Sequence, residues 1–124
     1  MVSGQLRHLA GYERAALEDF VSHLHQHCGD VIASVILFGS KARGDSDAES
    51  DIDLLIITHR DDWELQQQID DLTIQTDLAH NVVISDMMVS VERYTQIRQR
   101  RESLYQRIER EGIELWPEIA SKTI

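Results

Sequence analysis

The chain has 124 residues, 42% of them hydrophobic, and a formal net charge of −10; that is one ordinary domain with a single core, not a disordered chain. The acidic balance argues against direct, non-specific nucleic-acid binding, which needs a basic surface. No apolar run is long enough to span a membrane, and one cysteine, Cys28, excludes an internal disulfide. With no basic-then-apolar leader, the expectation is a cytoplasmic single domain over 1–124.

The first element is a helix. Leu6, Leu9, Ala10, Ala16, Leu17, Phe20, Val21 and Leu24 recur at helical spacing across residues 5–27, and Cys28-Gly29-Asp30 ends it. Val31 to Phe38 is β-branched and apolar, hence a buried strand. Gly39 breaks it, and Ser40 is placed to cap a short helix beginning near Lys41. Gly44 to Ser50 reads as a polar loop, and Ile52 to Thr58 as the second strand.

Trp63 to His80 carries apolar residues at Trp63, Ile69, Leu72, Ile74 and Leu78, a second long helix. Val82 to Val91 is a third strand. Glu92 starts a helix with Tyr94, Ile97, Leu104, Tyr105 and Ile108 on one face, stopped by Gly112. Ile113 to Trp116 is short and extended, Pro117 closes it, and a loosely ordered tail is expected beyond. The alternation predicts one α+β sheet domain.

Chemistry concentrates in residues 39–53, where Gly39-Ser40 precedes Asp51-x-Asp53 by ten residues. Asp51 and Asp53 are two apart at the head of a strand, so their carboxylates share a face while Ile52, Leu54 and Ile56 pack the other. Two close carboxylates repel unless a cation or proton sits between them. Mg²⁺ suits the pair, since it takes oxygen ligands and keeps sites for a phosphate substrate. Gly39 lets the backbone approach a ligand, Ser40 offers a hydroxyl and the helix start offers N–H groups. Lys41 and Arg43 add positive charge beside them. A phosphate-binding turn next to a metal-binding pair is what nucleotidyl transfer requires.

The run "VILFGSKARGDSDAESDIDLLII", Val35 to Ile57, resembles the core of the minimal nucleotidyltransferases (MNT proteins) of the DNA polymerase β-like superfamily. Their pattern is Gly-Ser, ten residues, Asp-x-Asp, usually with Ala-Arg-Gly after the Gly-Ser. The stretch "YQRIEREGIELW", Tyr105 to Trp116, is similar to that family's ending. The resemblance implies a polymerase β-like nucleotidyltransferase fold, a small mixed sheet flanked by helices. It implies that Ser40 contacts the triphosphate, that Asp51 and Asp53 are catalytic and hold Mg²⁺, and that the nucleotide is ATP.

Relatives that turn over usually add a third carboxylate from the next core strand. No acid stands at the expected place, Val82 to Ile84. Asp86 is the candidate, although replacing an acid at Val83 it would point to the other face unless a bulge shifts the register. Asp77 is a weaker one. The resemblance therefore implies either of two functions. One is AMP transfer to an acceptor hydroxyl, a tyrosine of a HEPN-family toxin for which this chain is the antitoxin. The other is a catalytically weak binding module that neutralises its partner by complex formation. Self-association into a homo-oligomer is left open by both.

Other residues are read as structural. His23, His25 and His27 sit at a solvated helix end. Arg98, Arg100, Arg101 and Arg107 are surface or partner contacts. Trp63, Trp116, Met87, Met88 and the tyrosines are packing residues.

Overall fold

The computed structural model describes residues 6–47 and 50–116; the tail after Pro117 lies outside the described residues. A turn over 6–9 buries Leu6 and Leu9. Then come α1 (Gly11–Cys28), a 3₁₀ turn (Gly29–Val31), β1 (Ile32–Phe38) and the short α2 (Ser40–Arg43). They are followed by β2 (Ile52–Thr58), α3 (Trp63–His80), β3 (Ile84–Ser90), α4 (Val91–Gln99), α5 (Ser103–Glu111) and β4 (Ile113–Glu114). The strands form one mixed sheet in the order β3-β2-β1-β4. β1 runs antiparallel to β2 and β4, and β2 runs parallel to β3.

Strand alternation divides the core in two. Val35 and Leu37 of β1, Ile52, Leu54 and Ile56 of β2, and Ile84 of β3 face α1 and α3, where they meet Leu17, Phe20, Leu24, Leu65, Ile69 and Leu72. Phe38, Leu55 and Ile57 face the other way and are covered by Ile108 of α5, with Tyr94 and Leu104 packed against them. Asp53 lies between Ile52 and Leu54 and pairs with Phe38 across the β1–β2 ladder. It therefore belongs to the α5 face.

Three expectations are corrected. The first helix starts at Gly11, because residues 6–9 form a turn. Gly39, not Ser40, caps α2, and Ser40 is its first helical residue. The helix expected from Glu92 to Gly112 is two helices. The Glu102 N–H bonds the Ile97 carbonyl at 3.0 Å and the Arg101 N–H that of Arg98 at 3.1 Å. That is a Schellman ending with Arg101, at φ 51, in the left-handed position that glycine usually takes. The Arg93 guanidinium holds Glu102 through both carboxylate oxygens, at 3.1 and 3.2 Å, which steadies the bend.

The expected α3 stripe holds at Ile69 and Leu72 and shifts elsewhere. Leu65, Ile69, Leu72, Thr73 and Thr76 are buried, whereas Trp63 is 73% exposed and Ile74 and Leu78 face outward. Met87 and Tyr12 are exposed as well.

Candidate active site

The site sits where β1 ends and β2 begins. Gly39 leaves β1 with φ 79 and ψ −161, a backbone region open in practice to glycine alone. A Cβ built there would stand 2.2 Å from Asp53 Oδ2. The turn and the carboxylate are thus in direct contact. Ser40 opens α2 immediately beside them.

Asp53 is half-buried, and its carboxyl is held above the ordinary aspartate value. Burial is the main cause and the charge of Asp51 the next, with Arg107 and Arg43 opposing and Glu111 adding to it. Asp51 is exposed just before β2. Two oxygen donors at one strand head, one of them disfavoured as an anion by burial and by its neighbour, suit a hard cation such as Mg²⁺.

The other expected residues divide. Arg43 reaches the site, with Nη1 3.1 Å from Glu111 Oε2 and Nε 3.1 Å from Asp45. Lys41 does not. Its side chain is 2% exposed and its Nζ lies 2.5 Å from Glu13 Oε2. It also donates to the Asp47 carbonyl at 2.8 Å. Glu13 uses its other oxygen to accept the Ala10 N–H that opens α1, at 2.8 Å. Lys41 therefore ties the polar loop to α1, and its ammonium is committed there.

Asp86 is not brought to Asp51 and Asp53. The parallel register sets it beside Leu54, with Ser85 beside Asp53 and no bulge between them. Leu54 packs toward α1 and α3, so Asp86 points to that face too. There its Oδ2 is buried without a hydrogen-bond donor. Its carboxyl is pushed up to about 6 by burial and by the Asp70 carboxyl beside it. Asp77 accepts the Ile84 N–H at 2.9 Å, which anchors the start of β3. Among the described residues no group of three or more His, Cys, Asp or Glu is arranged to hold a metal ion, the α1 histidines included.

Two residues of the site were missed. Glu111 and Arg107 lie four apart on α5 and so share a face. The Gly39 N–H donates to Glu111 Oε2 at 2.5 Å, and the Glu111 side chain is 6% exposed. The Arg107 guanidinium lies 5.1 Å from the centre of the Phe38 ring, and its charge is felt at Asp53. Their spacing is visible in the sequence, but there Arg107 is read as a surface or partner contact and only the apolar residues of that helix face are named.

The profile of the polymerase beta nucleotidyltransferase family matches residues 21–117. Two relatives from Methanocaldococcus jannaschii each carry the name "Putative protein adenylyltransferase". One is 40% identical over 81 residues, 64% of this chain and 76% of the relative. The other is 49% identical over 41 residues, 33% of this chain and 28% of the relative. Two crystal structures of mutant forms of the toxin-antitoxin MntA-HpeT share the fold, with TM-scores of 0.52 and 0.50 at 18% and 20% identity. The matches cover 86% of this chain and 82% and 81% of those chains. Among the described residues no helix is long and apolar enough to cross a membrane.

Proposed function

The chain belongs to the polymerase beta nucleotidyltransferase family, and on that premise we propose that it transfers AMP from ATP to a hydroxyl of a protein acceptor, with Asp51 and Asp53 holding Mg²⁺. The observation that carries this is the contact of the Gly39 backbone with Asp53. A backbone turn bare of side chain, lying on a carboxylate pair, lets phosphates and a metal ion meet at one point. Both Methanocaldococcus jannaschii relatives are named protein adenylyltransferases, which supports an adenine nucleotide and a protein acceptor.

In this reading Gly39 and Ser40 take the β- and γ-phosphates, and Arg43 contributes its charge beside them. Asp51 and Asp53 orient the α-phosphate. The acceptor oxygen bonds to the α-phosphorus, the bond to the bridging oxygen breaks, pyrophosphate leaves and the hydroxyl proton passes to solvent. Mg²⁺ bound to the two carboxylates would supply Lewis acidity toward the phosphate oxygens. Arg107 balances the charge of Asp53.

The acceptor proposed is a tyrosine of a HEPN-family toxin, with this chain as the antitoxin. The solved structures sharing its fold are of a toxin-antitoxin pair. A second reading, neutralisation by complex formation with little turnover, is favoured by one observation. The position on β3 beside Asp53 is Ser85, not an acid.

Incubation with ATP labelled at the α-phosphate, Mg²⁺ and a HEPN-type protein encoded beside this chain separates the two. Label on the partner that disappears with Asp53→Asn supports transfer. A tight complex with no label, unchanged by that substitution, supports neutralisation and refutes transfer.

A further inference from the structure

We propose that Glu111 sets the nucleotide affinity of this site by serving as its resident anion, occupying donors that a phosphate would take and leaving when the nucleotide arrives. The proposal rests on the functional reading above.

Both oxygens of Glu111 are engaged at the turn. Oε2 accepts the Gly39 N–H at 2.5 Å, and Arg43 Nη1 lies 3.1 Å from Oε2 and 3.3 Å from Oε1. A backbone N–H and a guanidinium converging on two oxygens is equally the geometry that receives a phosphate. Carboxylate and phosphate are the same kind of ligand here, so they compete for one seat.

The charges around the seat point the same way. Asp51 and Asp53 already make this corner negative, and Glu111 adds to the field at Asp53. The Glu111 side chain, 6% exposed and near Asp53, is held by Arg43 and the Gly39 N–H. Losing those partners to a phosphate would free it.

It also has somewhere to go. Glu111 is the last residue of α5, so its side chain can swing without unpicking the helix. A hollow of about 380 Å³ opens beside it, lined by Arg7, His8, Arg43 and Arg110. Arg7 and Arg110 are exposed cations placed to receive the released carboxylate.

The thermodynamic consequence is a competition. The apparent dissociation constant is the intrinsic one divided by the fraction of molecules with an open seat. Glu111→Gln keeps the shape and can still accept the Gly39 N–H, but it gives up the charge-assisted bonds to Arg43. Their loss should tighten ATP binding by about tenfold or more. Adenosine has no phosphate and should bind both proteins alike.

Titration calorimetry of the full chain with ATP and Mg²⁺, and separately with adenosine, tests this. Tighter ATP binding by Glu111→Gln with adenosine unchanged is the expected result. ATP bound no tighter, or adenosine shifted as much as ATP, overturns the proposal while leaving the functional reading intact. If the wild-type chain binds no ATP, that reading fails and this one with it. Should Glu111→Gln misfold, Glu111→Asp withdraws the carboxylate by one methylene and must also tighten ATP binding for the proposal to survive.

Discussion

Gly39 and Asp53 are in contact across the β1–β2 ladder, so closely that a Cβ on Gly39 would stand 2.2 Å from Asp53 Oδ2. Gly39→Ala should therefore do two things. The backbone at φ 79 and ψ −161 loses its one comfortable residue, costing roughly 1–3 kcal/mol. The methyl also displaces the Asp53 carboxylate from its position against the turn. Nucleotide transfer should fall by about tenfold or more, the effect of misplacing a reacting group by around an ångström. Thermal melting and labelled-ATP transfer read the two effects separately.

The buried Lys41–Glu13 pair gives a different kind of prediction. Removing one partner strands the other in the core, at about 3–5 kcal/mol. Lys41→Met should lower stability by that order in urea unfolding, and Glu13→Leu added to it should restore part of the loss, less the bond that Glu13 makes to the Ala10 N–H. Were Lys41 a phosphate ligand instead, the double variant would fold well and still have lost ATP affinity specifically through its ammonium.

Arg101 is a site for stabilisation. It carries φ 51 as the left-handed residue between α4 and α5. Arg101→Gly should stabilise the fold by roughly 0.5–1 kcal/mol, since the strain of a side chain there exceeds the entropy cost of glycine. The denaturation midpoint should rise with no change in its slope. A fall would mean that the Arg101 guanidinium, 6.0 Å from the Tyr105 ring centre, outweighs the strain.

Asp86 makes stability depend on pH. Its carboxyl is pushed up to about 6, against an ordinary value of 3.8. Between those values the folded state binds more protons than the unfolded one, so stability falls as pH rises through this window. The cost is complete above the folded value and is lifted as pH drops toward the unfolded one. Asp86→Asn should be the more stable protein at neutral pH, by on the order of 1 kcal/mol after allowance for solvent screening. The gap should close toward pH of about 4. A gap independent of pH would show that burial and the neighbouring Asp70 do not raise the Asp86 carboxyl.

What could be read in the sequence was what alternation and spacing control. The β2 and α3 boundaries, the face of Asp53, and the Gly-Ser and Asp-x-Asp motif all follow from local pattern. The bend at Arg101 did not, because an arginine took the place where a glycine would have announced it. That one residue hid the break between α4 and α5, while Glu111 and Arg107 went unassigned to the site because only the contact with the Gly39 turn and Asp53 gives them a role. The commitment of Lys41 was hidden for another reason. Its partner, Glu13, lies in a separate helix, and only the packing of α1 against the loop brings them together.

The most direct measurement is titration of ATP into the chain with and without Mg²⁺, repeated for Asp51→Asn and Asp53→Asn. If the carboxylate pair and the Gly39 turn form one metal–nucleotide site, Mg²⁺ should strengthen ATP binding to the wild-type chain. Each substitution should abolish that strengthening while leaving the melting temperature equal or, for Asp53→Asn, higher, because a half-buried anion beside another carboxylate has been removed. ATP affinity indifferent to Mg²⁺, or a Mg²⁺ effect that survives both substitutions, would contradict it.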